Sequence, residues 1–287
     1  MTNSNPASPP KLLVLGGPSS GKTTYRTQLY QRIEHQDGEL RLLKSVGDMT
    51  GLTADVERLL KGLQPMHTSA DTYQSTTFFI ENRSKQASTL EFPDYDGEQI
   101  RRVGETSAIP NAWVIRARES ASWLFFLRID SLRPAKSFMT DPVEVGTQLE
   151  GEDNALHSGR PIELNAVETL QRLLFVRGAS LRYPLASPRL GVLLSCWDEL
   201  VESERKLAPL LVLKKRAPLF SQFIHTNWIQ KELKVWGLSS TEQKLPEEQP
   251  DLEFAAKGAE NIGYVVKENG DEHPDLTIPV NWLMQHA

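Results

Sequence analysis

Short continuous apolar runs alternate along this chain with segments whose apolar residues recur every three or four positions. KLLVLGG at 11–17 predicts a buried strand ending in a glycine turn, and the segment after it places Tyr25, Leu29 and Ile33 at helical spacing. A polar region follows, with a weaker helix around LTADVERLLKGL (52–63). STTFFIEN (75–82) and ASTLEFPD (87–94) are rich in β-branched and aromatic residues and flank the polar RSKQ, which predicts two adjacent strands joined as a hairpin. Next come a loop containing DGE, a helix near Asn111–Ala121 and the apolar strand WLFFLRID (123–130). The helix AVETLQRLLFVRG (166–178) then precedes the strand RLGVLLS (189–195). PLFSQFIHTNWIQKEL (218–233) reads as helical, and KVWGLSS (234–240) as the last core strand. IGYVVKENGDEH (262–273) suggests a small hairpin turning at Asn269-Gly270, and DLTIPVNWLMQ (275–285) a capped closing helix.

Strands alternating with helices predict an α/β fold, a doubly wound, mostly parallel sheet covered on both faces. The single hairpin at 75–94 adds one antiparallel edge strand to that expectation. Residues 1–10, rich in Pro, Ser and Asn, read as a flexible lead-in, with one domain over 11–287. Two polar stretches, about 131–165 and 241–275, read as insertions in it.

Composition narrows the class without naming an activity. The 287 residues are 39% hydrophobic and 24% charged, an ordinary globular balance. A net charge of −5 supplies no electrostatic footprint for nucleic acid and no basic stripe for an anionic membrane. One cysteine, Cys196, excludes an internal disulfide and suits a reducing compartment. Neither end reads as a targeting signal and the apolar runs are too short to span a bilayer, so a cytoplasmic protein is expected. The six histidines show no metal-ligand spacing, the tryptophans on apolar elements suit a core, and the basic run at 214–216 reads as a solvated helix start.

Chemistry enters with GGPSSGKT, Gly16 to Thr23, which has the form G-x-x-x-x-G-K-[ST] between a predicted strand and a predicted helix. Gly16 and Gly21 allow the backbone through Ser19 and Ser20 to wrap a β-phosphate with its N–H groups at a positive helix end. Lys22 would reach the β- and γ-phosphates, Thr23 would ligate Mg²⁺ through its hydroxyl, and Thr24 would bond the α-phosphate. A nucleoside triphosphate site is expected.

A second pattern, Asp94-Tyr95-Asp96-Gly97, closes the strand of LEFPDYDGEQ as D-x-x-G. Asp94 at a strand end would hold Mg²⁺ through water, and the Gly97 N–H would approach the γ-phosphate and lose that contact on hydrolysis. With these two motifs the chain resembles the P-loop GTPases of the Ras-like, translation-factor-related class. Ser195-Cys196-Trp197-Asp198 stands where that class carries [NT]-K-x-D, and Leu238-Ser239-Ser240 is similar to its fifth motif. More narrowly, GGPSSGKTT, CWDEL, IGYVV and DLTIPVNWL resemble the bacterial double-GTPase family, often encoded within predicted biological-conflict systems. That resemblance implies GTP/GDP and Mg²⁺ as ligands. It also implies a signalling switch acting on effector or adaptor proteins, with a second related GTPase among its partners.

Asp198 admits three readings. One carboxylate accepts from both N1–H and N2–H₂ of a guanine, whereas adenine presents a lone pair there and is rejected. Alternatively, Asp198 and Glu199 form the metal-and-base pair of an ATPase strand, or Asp198 simply caps a helix. Asp94 already fills a metal position, which favours guanine reading. The class's base-covering lysine is Cys196 here, leaving Trp197 or another side chain to compensate.

The resemblance also exposes a catalytic gap. The glutamine that orients the attacking water immediately after D-x-x-G is replaced by Glu98, with Gln99 next. Pro18 stiffens the phosphate loop and removes an N–H. Slow intrinsic hydrolysis is expected, with Arg101 and Arg102 as candidate stabilisers in cis. The Mg²⁺-ligating threonine of the first switch is placed at Thr72, with Thr68 and Thr76 behind it. A P-loop kinase is the competing activity, disfavoured because 131–165 holds only Arg133 and Arg160 instead of an arginine-rich lid. A GTP-bound scaffold without turnover is the third reading.

Overall fold

The structure, a computed structural model, describes residues 9–35, 38–44, 49–66, 75–93, 109–132, 162–180 and 182–285. The strands are β1 (Lys11–Gly16), β2 (Leu40–Lys44), β3 (Ser75–Asn82), β4 (Ala87–Pro93), β5 (Ser120–Arg128), β6 (Arg189–Ser195), β7 (Leu233–Ser239), β8 (Tyr264–Val266) and β9 (Glu272–His273). The helices are α1 (Lys22–His35), α2 (Thr50–Leu60), α3 (Asn111–Glu119), α4 (Ile162–Arg177), α5 (Glu202–Arg205), α6 (Pro209–Arg216), α7 (Pro218–Asn227), α8 (Leu252–Lys257) and α9 (Ile278–Met284).

Among the described residues these nine strands form one sheet in the order β2-β3-β4-β1-β5-β6-β7-β8-β9. The five central strands, β4-β1-β5-β6-β7, are parallel. Their side chains alternate between two apolar layers. Leu12 and Val14 of β1 join Leu124 and Phe126 of β5 beneath α1, α2 and α9. Leu13 and Leu15 join Trp123, Phe125 and Leu127 on the opposite face, against α3, α4, α6 and α7. A strand covered on both faces must be apolar at every position, which is why these segments read as unbroken runs. Trp113, Trp123, Trp228 and Trp236 are buried as expected, while Trp282 is partly buried and carries the Arg189 guanidinium 3.9 Å above its ring.

The edges depart from the expected single antiparallel strand. β3 and β4 do form the predicted hairpin, but β2 extends it antiparallel to β3, and β8 and β9 add two antiparallel strands beyond β7. β2 escaped the hydrophobic pattern because it is a short edge strand, exposed over most of its length and tied to β3 by an Arg41–Glu81 ion pair. The hairpin near Asn269-Gly270 exists, with the Gly270 N–H donating to the Lys267 carbonyl at 2.9 Å. It is part of the sheet, not of an excursion. Val265 and Val266 pair with Leu238 and Gly237 and are fully buried, so the stretch 241–275 is structural over much of its length.

Helix α4 begins at Ile162, inside the predicted insertion. Its first turn is exposed at Ile162 and Leu164, so no buried stripe marked it. The basic run at 214–216 ends α6; it does not start a helix. Lys215 and Arg216 both bind the buried Glu204, which lowers that carboxyl's pKa against the opposing effect of its burial. The closing helix α9 has no side-chain cap at Thr277; Asp275 accepts from the Thr277 N–H and hydroxyl instead.

Candidate functional site

The described candidate residues, Thr76 apart, lie at or beyond the carboxyl ends of parallel strands, where open α/β sheets bind ligands. β1 runs into the phosphate loop and α1. Gly16 adopts φ +147°, and a Cβ there would fall 2.8 Å from the Phe126 carbonyl oxygen and 2.9 Å from Ser20 Oγ. Gly21, at φ +82°, turns the chain into the helix. Ser20 Oγ donates to the Gly17 carbonyl at 2.8 Å. The Lys22 ammonium lies across the loop, donating to the Gly16 and Gly17 carbonyls at 2.8 and 2.6 Å and to Ser20 Oγ at 3.1 Å. Thr23 and Thr24 begin the helix half-buried.

β6 ends at Ser195, beside this loop. Its hydroxyl is buried and has no hydrogen-bond partner among the described residues, and a Cβ on Gly21 would lie 3.7 Å from it. Cys196 then turns the backbone through φ +57°, and a 3-10 turn, Trp197–Glu199, carries Asp198. The Asp198 carboxylate accepts no hydrogen bond from the described residues, and α5 has no side-chain cap, so the helix-cap reading does not hold. Trp197 is corrected as well. It is fully buried, packed so closely under β7 that a Cβ on Gly237 would fall 2.6 Å from its ring, and cannot lie along a base.

From β5, Arg128 donates through Nε to Asp130 at 2.9 Å and through Nη2 to Glu199 at 2.8 Å. Burial opposes the guanidinium's charge, but the hydrogen bond and charge of Asp130 outweigh it and raise the pKa. Burial likewise pushes the Cys196 thiol up to about 12 and raises the Glu199 carboxyl, the latter aided by Asp130 against Arg128. At the end of β7, Ser239 is buried, with its Oγ accepting from the Glu242 N–H at 2.9 Å. Ser240 follows, its carbonyl accepting from Gln28 of α1 at 2.8 Å.

One cavity of about 440 Å³ joins these ends. Ser19 to Thr24 line it together with Ser195, Cys196, Asp198, Arg128, Ser240 and Thr241. Ser239 and Trp197 do not. Arg128, Ser195 and the wall Gln64–Met66 were missed by sequence reasoning. Ser195 had a signal in its place at the head of Ser-Cys-Trp-Asp, and Arg128 a weaker one as the cation closing an apolar strand. Thr76, the reserve switch threonine, lies on β3 and accepts from Arg26 Nη1 at 3.0 Å. Asp94, Gly97, Glu98, Gln99, Thr68, Thr72, Arg101, Arg102, Arg133 and Arg160 lie outside the described residues.

The residues present fit a nucleotide: Ser195, with its orphaned buried hydroxyl, and the open Asp198 carboxylate line the same cavity as a loop whose first glycine, Gly16, has no room for a Cβ. Thr23 offers an oxygen donor of the kind Mg²⁺ takes. Among the described residues the one cluster close enough for a metal, Asp130, Cys196 and Glu199, includes a thiol and is bridged by Arg128, which does not suit Mg²⁺.

A parallel sheet with a glycine loop between its central strand and the next helix defines a P-loop nucleotide-binding fold. The family model Double-GTPase 1 matches residues 13–283, and the chain belongs to that family. No curated protein matches the chain. Among the described residues no helix is long and apolar enough to cross a membrane.

Proposed function

We propose that this protein is a guanine-nucleotide switch that binds GTP and GDP with Mg²⁺ and hydrolyses GTP slowly on its own. The observation that carries the reading is the single cavity shared by the phosphate loop and the open Asp198 carboxylate. In it the loop's N–H groups and Lys22 would bind the phosphates, Thr24 would bond the α-phosphate, and Asp198 would accept from the guanine edge. Thr23, with Asp94 and Thr72, would hold Mg²⁺, which neutralises charge on the β- and γ-phosphates when bound. Family membership supports GTP as the nucleotide.

The ATPase alternative needs Glu199 as a general base. Glu199 is instead engaged by Arg128 at 2.8 Å, and Asp198 sits on a turn three residues past its strand. Slow turnover follows from Pro18 and from Glu98 and Gln99 standing where a single water-orienting glutamine is usual. Effector or adaptor proteins, and a second related GTPase, are the partners proposed, in keeping with a role in bacterial conflict systems.

Calorimetric titration of GTP and ATP with Mg²⁺ tests the reading. GTP is expected to bind far more tightly. Asp198→Asn is expected to weaken GTP roughly 100-fold or more, since two charge-assisted hydrogen bonds are lost, and to favour xanthosine triphosphate. Preference for ATP, or unchanged GTP affinity in Asp198→Asn, refutes it. Fast single-turnover hydrolysis by the isolated protein would refute the slow-switch part alone.

A further inference from the structure

We infer that Arg128 covers one face of the guanine ring whose edge Asp198 accepts, taking the place left open by Cys196; the inference rests on the guanine reading above. A base held by its edge still exposes two flat faces, and binding gains when a planar or apolar group excludes water from one of them. Trp197, the large aromatic neighbour of Asp198, is fully buried beneath β7 and cannot do so. Cys196 is too short, and its Sγ lies within 4.8 Å of carboxylate oxygens of both Asp130 and Glu199, beside the Arg128 network.

Arg128 has the required geometry. It is paired in register with Ser195 at the ends of β5 and β6, so it rises into the cavity beside the loop that bears Asp198. Two carboxylates from different loops fix its plane, Asp130 at Nε and Glu199 at Nη2. The Asp130 turn is itself anchored, because Arg216 donates to the carbonyls of Ile129, Asp130 and Leu132 at 3.2, 3.3 and 3.0 Å. Two of the five N–H donors of Arg128 are held by carboxylates, which fixes the guanidinium in place, and Lys22 is the cation of the phosphate loop itself. What Arg128 presents is its flat, weakly hydrated face, which stacks on π systems. Its side chain is 30% exposed and lines the cavity.

Titration of GDP, IDP and inorganic tripolyphosphate into the full chain separates the roles. IDP lacks the guanine amine, so the GDP/IDP ratio reports Asp198, while tripolyphosphate reports the phosphate loop and the integrity of the fold. Arg128→Ala is expected to weaken GDP and IDP by the same factor, about tenfold for a partly desolvated cation on a π face. Tripolyphosphate affinity is expected to stay within twofold. The same loss is expected when Arg128→Ala is made in an Asp130→Asn, Glu199→Gln background.

Unchanged GDP and IDP affinity in Arg128→Ala overturns the inference. So does a parallel fall in tripolyphosphate affinity, which would put Arg128 on the phosphates or in the scaffold. Disappearance of the effect in the neutralised background would show that Arg128 merely screens two carboxylates, and overturns it too. If the unmodified protein prefers ATP, or Asp198→Asn leaves GDP binding intact, the guanine reading itself falls, whatever Arg128 does.

Discussion

Removing the carboxylate of Asp55 is expected to be among the costliest single changes in this protein. Arg26 of α1 and Asp55 of α2 form an ion pair of 2.6 Å whose side chains are 5% and 8% exposed. Arg26 also donates to Thr76 of β3 at 3.0 Å, and Asp55 Oδ1 accepts from the Met66 N–H at 3.1 Å. The pair therefore joins two helices, a sheet strand and the cavity wall at Gln64–Met66. Asp55→Ala leaves a buried guanidinium without its carboxylate, which costs about 3–5 kcal/mol when a buried pair loses one partner. In a chain of this size that corresponds to a fall in Tm of roughly 10 °C. Because most of the penalty is desolvation of a buried charge that has lost its carboxylate, Arg26→Met with Asp55→Leu is expected to recover to within about 2 kcal/mol of the unmodified protein. Urea unfolding followed by tryptophan fluorescence and circular dichroism measures both. A loss below about 1 kcal/mol in Asp55→Ala at unchanged m-value would refute the reasoning, as would a double variant less stable than either single.

Two further outcomes concern the cavity wall. Ser195→Ala is expected to leave the ligand-free protein as stable as before, or more stable by about 1 kcal/mol, since its buried hydroxyl has no partner to lose. Its nucleotide affinity should nevertheless fall several-fold; equal GDP binding in the two proteins, titrated calorimetrically, would sink the idea that this hydroxyl serves a ligand. Cys196, with its thiol pushed from 9.0 to about 12, has about a thousandfold less thiolate at pH 8 than an ordinary cysteine, and alkylation by iodoacetamide should slow in proportion. The rate should climb tenfold per pH unit up to the limit of the fold's stability, and a plateau near pH 9 would contradict the burial argument.

The parallel core, its helices and the phosphate loop were legible without any coordinates. Each rests on local chemistry: continuous apolar runs such as Leu12–Leu15 for strands buried on both faces, 3.6-residue spacing for α1, and the glycines Gly16, where no Cβ fits, and Gly21, where φ is positive. The same locality explains why β2 and the start of α4 were not. β2 is five residues long with only Leu40 fully buried, and the first turn of α4 exposes Ile162 and Leu164, so neither left a period long enough to read.

The sequence by itself thus pointed to a nucleotide as the class of ligand, through Gly16–Thr23, and singled out the carboxylate at Asp198. Only the tertiary structure decided what surrounds that carboxylate. Trp197 and Ser239 looked like ligand contacts by position in their motifs, yet both turn inward, because packing against Gly237 and a turn hydrogen bond from the Glu242 N–H claim them. Arg128, 70 positions before Asp198 and nondescript in the chain, enters the site because β5 and β6 pair in parallel register. Contacts between residues so distant in sequence depend on which strand ends the sheet aligns, and no local pattern encodes that.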